Sequence, residues 1–586
     1  MPFSDSKNNT TSSLISTIIL IINILGILIF GGIILYSLTH KPWMRYAFTY
    51  FSYYIVFALS VAWVLSLINL QQNNGFRLIP FLRLHWKGLL ISFLLTSIVF
   101  ISVSKYFRVL SDETNLLSVS KSMTFYKHVL NITEGRWYYE MYWPTYTKGI
   151  EKRPFLFPFF TSVMHNILGY HVENAFILNY FVLWGALFLL YLLIRFYLSE
   201  LWAFAGLILV VAQPVISLSA ASASFEIFNL LFLLISFLSL RHFLYSPNSR
   251  SFLLLTLSLI MISNIRYEAI VYFAGIMLIL LFTGSIKGRF FKDSAWFALT
   301  PLFFLSLIWQ RILMLNESDS NLTGGSWIQA FSFKHAVDNI ALFFKYIFSL
   351  NGQLGYSGFI NMVGFLALFY CIILILIRLK NLTDENQKIF LTCLFASIFA
   401  VFCVILLYQG GINDHPMNGR MYIPVLVILS VLPLFAFAHL FSKMNWSATP
   451  ILIGAMVAFI FYHPIAIEDR LTNYLMIIRE YRFVDSFLKK HADKNSLVVC
   501  GRPGQLIVSN YGAMYYSTAN RDVGKILHEY SNHLYSTIYV IQSISYATLS
   551  PLPDNVIDAR YKLETVEELQ ILGSYFYRIS RVKTPE

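Results

Sequence analysis

Charged residues are scarce in this chain. Asp, Glu, Lys and Arg make up 12% of its 586 residues, whereas soluble globular chains carry about 25%. Hydrophobic residues reach 57%, so the composition excludes an ordinary soluble protein and predicts an integral membrane protein. The net charge of +13 indicates cytoplasmic loops and contact with membrane lipids. No basic tract carries a nucleic-acid reader motif, so we expect no nucleic acid partner.

Cysteine is also rare. Cys371, Cys393 and Cys403 lie in apolar runs, and Cys500 stands alone in the tail. No CxxC or Cys/His ligand spacing occurs, so neither a disulfide framework nor a zinc site is indicated. We therefore expect no cofactor; a divalent metal is possible but not indicated.

Long apolar runs fill most of the sequence. A bilayer span needs about 20 apolar residues, and about 13 runs meet this criterion. The runs are 14–37, 46–70, 87–105, 173–197, 201–218, 223–245, 251–265, 268–285, 294–314, 356–378, 388–409, 421–441 and 447–463. The first lacks a small-residue cleavage site and is interpreted as a retained span. The predicted fold class is an all-α polytopic membrane protein.

Basic residues lie in alternate loops and orient these spans. They are Arg77, Arg83, Lys87, Arg195, Arg241, Arg250, Lys287, Arg289, Lys292, Arg378, Lys380 and Lys443. The positive-inside rule assigns their loops to the cytoplasm, so the loop after the third span and the C-terminus are predicted outside. The loop with His40, Lys41 and Arg45 is basic but falls on the outer side in this assignment. We follow the larger number of loops that agree.

Charged residues return in the tail, after about residue 465. Strand patterns occur at 496–500, 537–541 and 575–579, and helical stretches near 470–490 and 521–531, which predicts a small extracytoplasmic α/β domain. The predicted units are three N-terminal spans (1–105), an outer loop with interfacial helices (106–171), the remaining spans and outer loops (172–464) and this C-terminal domain (465–586).

An acidic pair, Asp112-Glu113, follows the third apolar run. Alone, the pair favours a helix cap, because Ser111 and Asp112 are good N-cap residues. The alternative is a general base at the outer interface, where a carboxylate accepts a proton from an attacking hydroxyl or amine. Successive helical residues are about 100° apart, so Asp112 and Glu113 are not expected to be equivalent.

Lys152 and Arg153 are the first candidate cations after that pair. One interpretation is that both side chains are solvated or extend along the membrane surface. The other is that they bind phosphate, Lys152 through its compact ammonium charge and Arg153 through two parallel hydrogen bonds from its planar guanidinium. Lys148, His171 and Arg108 are nearby alternatives.

Arg266 and Glu268 lie between two apolar runs, where ionisable groups are costly and usually face the protein interior. One interpretation is that the two residues pair with each other. At a spacing of two on a helix they do not face one another, so separate partners are the favoured interpretation. Glu226 lies at the outer end of another span.

The last candidate group occupies an outer loop and the start of the next span. Its members are Asp414, His415, Arg420 and Tyr422. One His with one Asp is a weak metal signal, and a loop-capping role is favoured.

The order of these motifs resembles the GT-C membrane glycosyltransferases. The chain shows DE after a span, then EKRPFLFPFF and HNILGYHVENAFILNYF, with NIRYEA and GRMYIP further on. It is most similar to the protein O-mannosyltransferase and lipid A aminoarabinose transferase branch. The resemblance covers roughly residues 106–285 and continues loosely to Pro424.

The resemblance implies transfer of a sugar from a polyprenyl-phosphate donor to a lipid, glycan or protein acceptor, with inversion. The expected place is the outer face of a bacterial inner membrane. By motif position Asp112 is the catalytic carboxylate and Glu113 its neighbour. The expected donor-phosphate ligands are Lys152, Arg153, Arg266 and Arg420, and the expected acceptor or sugar ligands are Glu268, Asp414, His415 and Tyr422. The lipid A enzymes carry Arg where this chain has Asn115, which counts against aminoarabinose transfer to lipid A.

Three other functions remain open. A polytopic transporter is one, although paired halves with interrupted spans are not evident. An oligosaccharide ligase or polymerase with a pyrophosphate-linked donor is the second, and a degenerate relative that acts as a scaffold is the third.

Overall fold

The computed structural model describes most of the chain. The described residues are 6–73, 78–150, 153–285, 295–306, 331–350, 357–378, 384–408, 416–444, 447–470, 472–473, 475–570 and 573–583. Three candidate site residues, Lys152, Asp414 and His415, lie outside these ranges.

Helices form the body of the molecule. They are α1 Ser6–Thr39, α2 Lys41–Asn73, α3 Leu78–Leu84, α4 Trp86–Ser102, α5 Leu110–Tyr126, α6 Leu156–Leu168, α7 Glu173–Arg195, α8 Glu200–Val211, α9 Pro214–Ala220, α10 Glu226–Tyr245, α11 Ser249–Ser263, α12 Ile270–Phe282, α13 Phe333–Ile347, α14 Gly358–Arg378, α15 Glu385–Leu407, α16 Ile423–Met444 and α17 Thr449–Ile467. Short 3-10 helices are Tyr267–Ala269, Ala295–Phe304 and Pro416–Tyr422.

Seven described helices are long and apolar enough to cross a membrane, or eight if the bent pair α8–α9 is one span. Five further apolar helices are shorter. Each predicted apolar run coincides with a helical segment, although the run 294–314 is described only as far as residue 306. The polytopic helical fold is therefore confirmed, while the count of about 13 spans stays a prediction.

Helix α10 lies at the centre of this body, with 72% of its span buried, whereas α1 has only 6% buried. Both helices are apolar on all sides, which suits either a protein interior or a lipid-facing surface. Close packing is also visible between α14 and α16. A Cβ added at Gly364 of α14 would lie 2.1 Å from the Leu429 carbonyl oxygen of α16, so glycine is required for this approach.

Among the described basic residues, Lys87, Arg195 and Arg241 lie at one end of the body. There Lys87 pairs with Glu200 at 3.3 Å, and the Arg241 guanidinium lies 4.3 Å from the centre of the Phe196 ring. The loop that disagreed with the positive-inside count lies at the opposite end. Nearby, at the start of α2, the Thr49 carbonyl accepts a hydrogen bond from the Val129 amide at 3.1 Å.

A seven-stranded sheet caps that opposite end, in the order β2-β1-β4-β3-β5-β7-β6. Its strands are β1 Leu130–Tyr138, β2 Met141–Ile150, β3 Leu497–Val499, β4 Gly512–Met514, β5 Ile538–Ser545, β6 Leu563–Leu569 and β7 Tyr575–Val582. Its helices are α18 Met476–His491, α19 Pro503–Ile507, α20 Tyr516–Arg521 and α21 Val523–Ser531, with a 3-10 turn at Pro553–Asn555.

The hairpin β1–β2 comes from the loop after the third predicted span, yet it joins the sheet of the C-terminal tail. Gly135 of β1 is paired with Ala513 of β4 in antiparallel register. The predicted outer loop and the predicted tail domain therefore share one sheet. This pairing is non-local, and the aromatic, polar sequence of the hairpin has no regular alternation to reveal it.

The three strand patterns predicted in the tail are confirmed as β3, β5 and β7. Side chains alternate between the two faces of a strand. Leu497 and Val499 of β3 accordingly pack with α20 and α21, whereas Val498 belongs to the core of the main body.

Candidate active site

Asp112 lies in the first turn of α5, at the sheet-bearing end of the helical body. Its two carboxylate oxygens contact different guanidinium groups. Oδ1 accepts a hydrogen bond from Arg153 Nη2, and Oδ2 accepts one from Arg420 Nη2. The Asp112 side chain remains 20% exposed, so a substrate can reach it.

Arg420 connects Asp112 to a carboxylate inside the membrane-spanning body. Its Nε lies 3.0 Å from Oε1 of Glu226, the first residue of α10. The Glu226 side chain is only 2% exposed, and its Oε2 has no hydrogen-bond partner among the described residues. A buried carboxylate of this kind requires nearby positive charge, which Arg420 supplies.

Arg266 is the third guanidinium of the group. Its Nη1 lies 3.9 Å from Glu226 Oε1, and its Nε donates a hydrogen bond to Glu268 Oε1 at 2.5 Å. The prediction that Arg266 and Glu268 take separate partners is therefore wrong. Helix α11 ends at Ser263, so the helical spacing on which that prediction relied does not hold there.

Together these residues form one chain of alternating charge. We call it the ion-pair cluster, and its members are Arg153, Asp112, Arg420, Glu226, Arg266 and Glu268. Three carboxylates balance three guanidiniums, which lets six charged groups remain charged at the end of apolar helices. An anionic ligand could take the place of a carboxylate at the more exposed end of the chain.

Glu113 does not belong to the cluster. Its Oε1 accepts hydrogen bonds from the backbone amides of Arg108 at 3.1 Å and Val109 at 2.9 Å, and its Oε2 from Ala223 at 3.1 Å. Burial raises the pKa of Glu113 to about 7, against the effect of these donors. Glu113 thus caps α5 and fixes the position of Asp112 next to it. The cap was expected at Ser111 and Asp112, but the helix begins earlier, at Leu110.

Arg108 is also separate from the cluster. Its guanidinium is fully buried and donates to the carbonyls of Ser104 at 2.7 Å and Ala221 at 2.8 Å. These bonds make Arg108 a structural residue, so it is not the alternative phosphate ligand considered from the sequence.

Two tyrosines flank the cluster region in different ways. Tyr422 is buried, with its ring centre 4.9 Å from that of Phe343 and 5.9 Å from that of Phe402. Tyr408 was not among the candidate residues predicted from the sequence. Burial raises the pKa of Tyr408, and the charges of Glu268, Arg153 and Asp112 act on it as well.

An apolar cavity of about 340 Å³ lies between α7, α10, α14, α15 and α16. Its lining includes Leu230 and Pro424, each four residues beyond a cluster residue, Glu226 and Arg420 respectively. On α10 one helical turn therefore separates Glu226 from the lining residue Leu230. An amphiphile with a charged head and an apolar tail has the chemistry that fits both parts.

The structure thus brings together Asp112, Arg153, Arg266, Arg420 and Glu268, as expected for one site. Glu226, which joins the two halves of the cluster, was not among the predicted ligands. Its position at the end of an apolar span was the available signal, because ionisable groups there usually have a function. The expectation that no metal takes part stays a prediction, since Asp414 and His415 are outside the described residues.

The helical body and the sheet at one end define an integral membrane protein. The chain is similar to the crystal structure of ArnT from Cupriavidus metallidurans bound to undecaprenyl phosphate. The TM-score is 0.51 at 10% identity, with 86% of this chain and 98% of that chain covered. The expected fold is thereby confirmed.

Weaker likenesses occur to two other solved structures. The apo state of the same ArnT has a TM-score of 0.48 at 11% identity, covering 84% of this chain and 98% of that chain. The archaeal oligosaccharyltransferase AglB from Archaeoglobus fulgidus, in complex with an inhibitory peptide and a dolichol-phosphate, has a TM-score of 0.42 at 10% identity, covering 78% and 69%. No family model and no curated protein matches the sequence.

Proposed function

We propose that this protein is a glycosyltransferase that moves a sugar from a polyprenyl-phosphate donor to a lipid, glycan or protein acceptor. The observation that carries this proposal is the position of Asp112 between Arg153 and Arg420, in a cluster whose Glu226 lies one helical turn from a residue that lines an apolar cavity. The similar ArnT structure is bound to undecaprenyl phosphate, which supports a lipid of the same chemical class here.

The proposed reaction is a direct displacement at the anomeric carbon. Asp112 takes the proton from an acceptor hydroxyl or amine, and the acceptor atom bonds to the anomeric carbon from the face opposite the phosphate. The bond between the anomeric carbon and the phosphate oxygen breaks, and polyprenyl phosphate leaves with the electron pair. Because polyprenyl phosphate is a stable anion once released, no general acid is essential, and the single displacement from the opposite face inverts the configuration.

The arginines of the cluster would bind the phosphate and stabilise the charge that develops on it. In the structure the guanidiniums of Arg153 and Arg420 both pair with the Asp112 carboxylate. A donor phosphate that competes for these guanidiniums would free Asp112 to accept a proton. Donor binding would then prepare the base, and Glu226 would keep Arg420 in place throughout.

The test is sugar transfer by the purified protein in detergent, with the donor lipid first identified by mass spectrometry of co-purified material. Asp112→Asn should fold and retain the lipid, while transfer falls by about 10²–10⁴-fold, the range of general base catalysis. The matched control is Asp338→Asn, an exposed aspartate on α13, which should leave transfer unchanged. Near-normal turnover in Asp112→Asn would remove Asp112 as the base.

The same assay separates the competing functions. A single sugar transferred from a monophosphate donor supports the proposal, whereas transfer only from a pyrophosphate-linked chain indicates an oligosaccharide ligase or polymerase. Retention of donor lipid without transfer to any lipid, glycan or peptide acceptor would favour a scaffold or a transporter.

We further propose a bacterial inner membrane with the cluster and the C-terminus on the outer side. An impermeant thiol reagent tests this with Ser111→Cys and Thr548→Cys, two exposed positions, in a background without the native cysteines. Native Cys500 is unsuitable as a reporter because it is buried. Labelling of both variants in intact cells is expected. Labelling only after permeabilisation would show that these positions lie on the cytoplasmic side.

A further inference from the structure

The C-terminal part of the sheet contains a second cavity, of about 520 Å³. Strand β3 is central, with β4 parallel to it on one side and β5 parallel to it on the other. The connection from β3 to β4 runs through α19, which packs with the main body, and the connection from β4 to β5 runs through α20 and α21 on the other face.

From β3 the chain moves to β4 on one side, and it then crosses to β5 on the other side of β3. The strand order therefore reverses between β3 and β5. In α/β sheets a crevice forms at the carboxyl ends of strands where this reversal occurs, and ligands bind there. The cavity lies at that position, because Cys500, Gly501 and Arg502 after β3 line it together with Ser543 near the end of β5.

The lining of this cavity is aromatic and polar. Five tyrosines line it, and we call the cavity the tyrosine cleft; they are Tyr481, Tyr515, Tyr516, Tyr575 and Tyr577. Glu480 of α18 is almost fully buried at its wall, accepts a hydrogen bond from the Tyr575 hydroxyl at 3.1 Å and lies 3.7 Å from Arg502.

The charges of the cleft disfavour an anionic ligand. Arg502 is the one basic residue among the described lining residues, and it already has Glu480 as a partner. Asp554 adds a second carboxylate, so nucleotides and phosphates would meet net negative charge. Gln505, Asn555 and Ser543 contribute uncharged donors and acceptors.

We propose that the tyrosine cleft binds a neutral oligosaccharide. Aromatic faces cover the C–H faces of sugar rings, and carboxylate, amide and hydroxyl groups bond their hydroxyls, which is the mixture of a few polar groups and apolar surface found in ligand sites. This binding does not depend on the transfer reaction proposed for Asp112. Tyr481, which also lines the cleft, packs on Phe107 with ring centres 5.6 Å apart, so the bound glycan is held on the same side of the protein as Asp112.

The experiment uses the full-length protein in detergent and a panel of neutral trisaccharides: maltotriose, mannotriose, galactotriose and chitotriose. Saturation-transfer NMR detects binding, and titration gives the dissociation constant. Tyr515→Ala and Tyr575→Ala each remove one aromatic surface and should weaken binding by about two- to tenfold. The two residues lie on different elements, so one folded variant is enough to decide.

The matched control is Tyr546→Ala. Tyr546 is 38% exposed and Tyr515 37%, but the Tyr546 ring packs on Phe576, whose side chain points to the face of β7 opposite Tyr575 and Tyr577. Unchanged affinity in Tyr546→Ala together with weaker binding in Tyr515→Ala or Tyr575→Ala supports the proposal. Absence of binding to every trisaccharide, equal binding by all variants, or displacement of the sugar by uridine diphosphate overturns it.

Discussion

Arg420 Nε lies 3.0 Å from Oε1 of Glu226, so a carboxylate at the end of a membrane-spanning helix fixes the guanidinium that contacts Asp112. This contact makes the orientation of the proposed base dependent on a residue that does not touch it. The side chain of Arg420 is only 6% exposed, and in such surroundings an unpaired charge is strongly unfavourable.

Glu226→Gln should therefore destabilise the protein and reduce transfer together. Removal of one partner of a buried ion pair costs about 3–5 kcal/mol, and the apparent thermal midpoint in detergent should fall accordingly. Glu200→Gln is the control, because Glu200 pairs with Lys87 at the other end of the body and surface pairs contribute about 0–1 kcal/mol. Equal midpoints for both variants would contradict the importance of Glu226.

Arg153→Ala should weaken the binding of polyprenyl phosphate. Loss of a charged hydrogen bond costs about 1.5–3 kcal/mol, which corresponds to roughly ten- to 150-fold in affinity. Binding of the lipid can be followed by native mass spectrometry or microscale thermophoresis in detergent. Arg521→Ala removes an exposed arginine of the C-terminal part and should leave the affinity unchanged. If Arg153→Ala binds like the wild type, Arg153 is not a phosphate ligand.

Glu113→Gln should act on stability more than on chemistry. A glutamine retains one acceptor oxygen for the three backbone amides that now bind the Glu113 carboxylate, so the thermal midpoint should fall. The kcat of the folded fraction should fall far less than the roughly 10²–10⁴-fold expected for Asp112→Asn. A loss of kcat as large as that of Asp112→Asn, at an unchanged midpoint, would instead give Glu113 a direct catalytic role.

We expect the free energy of unfolding to rise with pH because of Lys121. Its Nζ donates to the Ile507 carbonyl at 2.9 Å and lies 3.9 Å from the centre of the Tyr142 ring, so it connects α5 to both the tail and the hairpin. Burial lowers its pKa from 10.5 to about 7. Between these values the unfolded chain binds more protons than the folded one, so the unfolding free energy increases as pH rises, by at most about 1.4 kcal/mol per pH unit.

The measurement is the thermal midpoint in detergent between pH 7 and pH 9, for the wild type and for Lys121→Met. The wild-type midpoint should rise relative to that of Lys121→Met, which has no titrating group at this position. Lys525→Met, at an exposed lysine of α21, should follow the wild type. Parallel curves for the wild type and Lys121→Met would show that Lys121 is not the titrating group.

The sequence by itself determined the helical membrane fold and most of the charged site. Apolar runs of span length and the scarcity of charge require helices that satisfy their own backbone groups in lipid. The same scarcity makes each remaining ionisable group informative, and Asp112, Arg266 and Arg420 were recognisable for that reason. Three strands of the tail were visible because their short apolar patterns are local.

Only the tertiary structure decided how these parts meet. The pairing of Gly135 with Ala513 joins segments almost 400 residues apart, and no local pattern encodes such a register. The structure also separated Asp112 from Glu113, because adjacent helical side chains point in different directions. The role of Glu226 as the bridge between Arg420 and Arg266 depends on three elements that converge at one end of the body. Convergence of this kind is set by packing in three dimensions, which spacing along the chain does not contain.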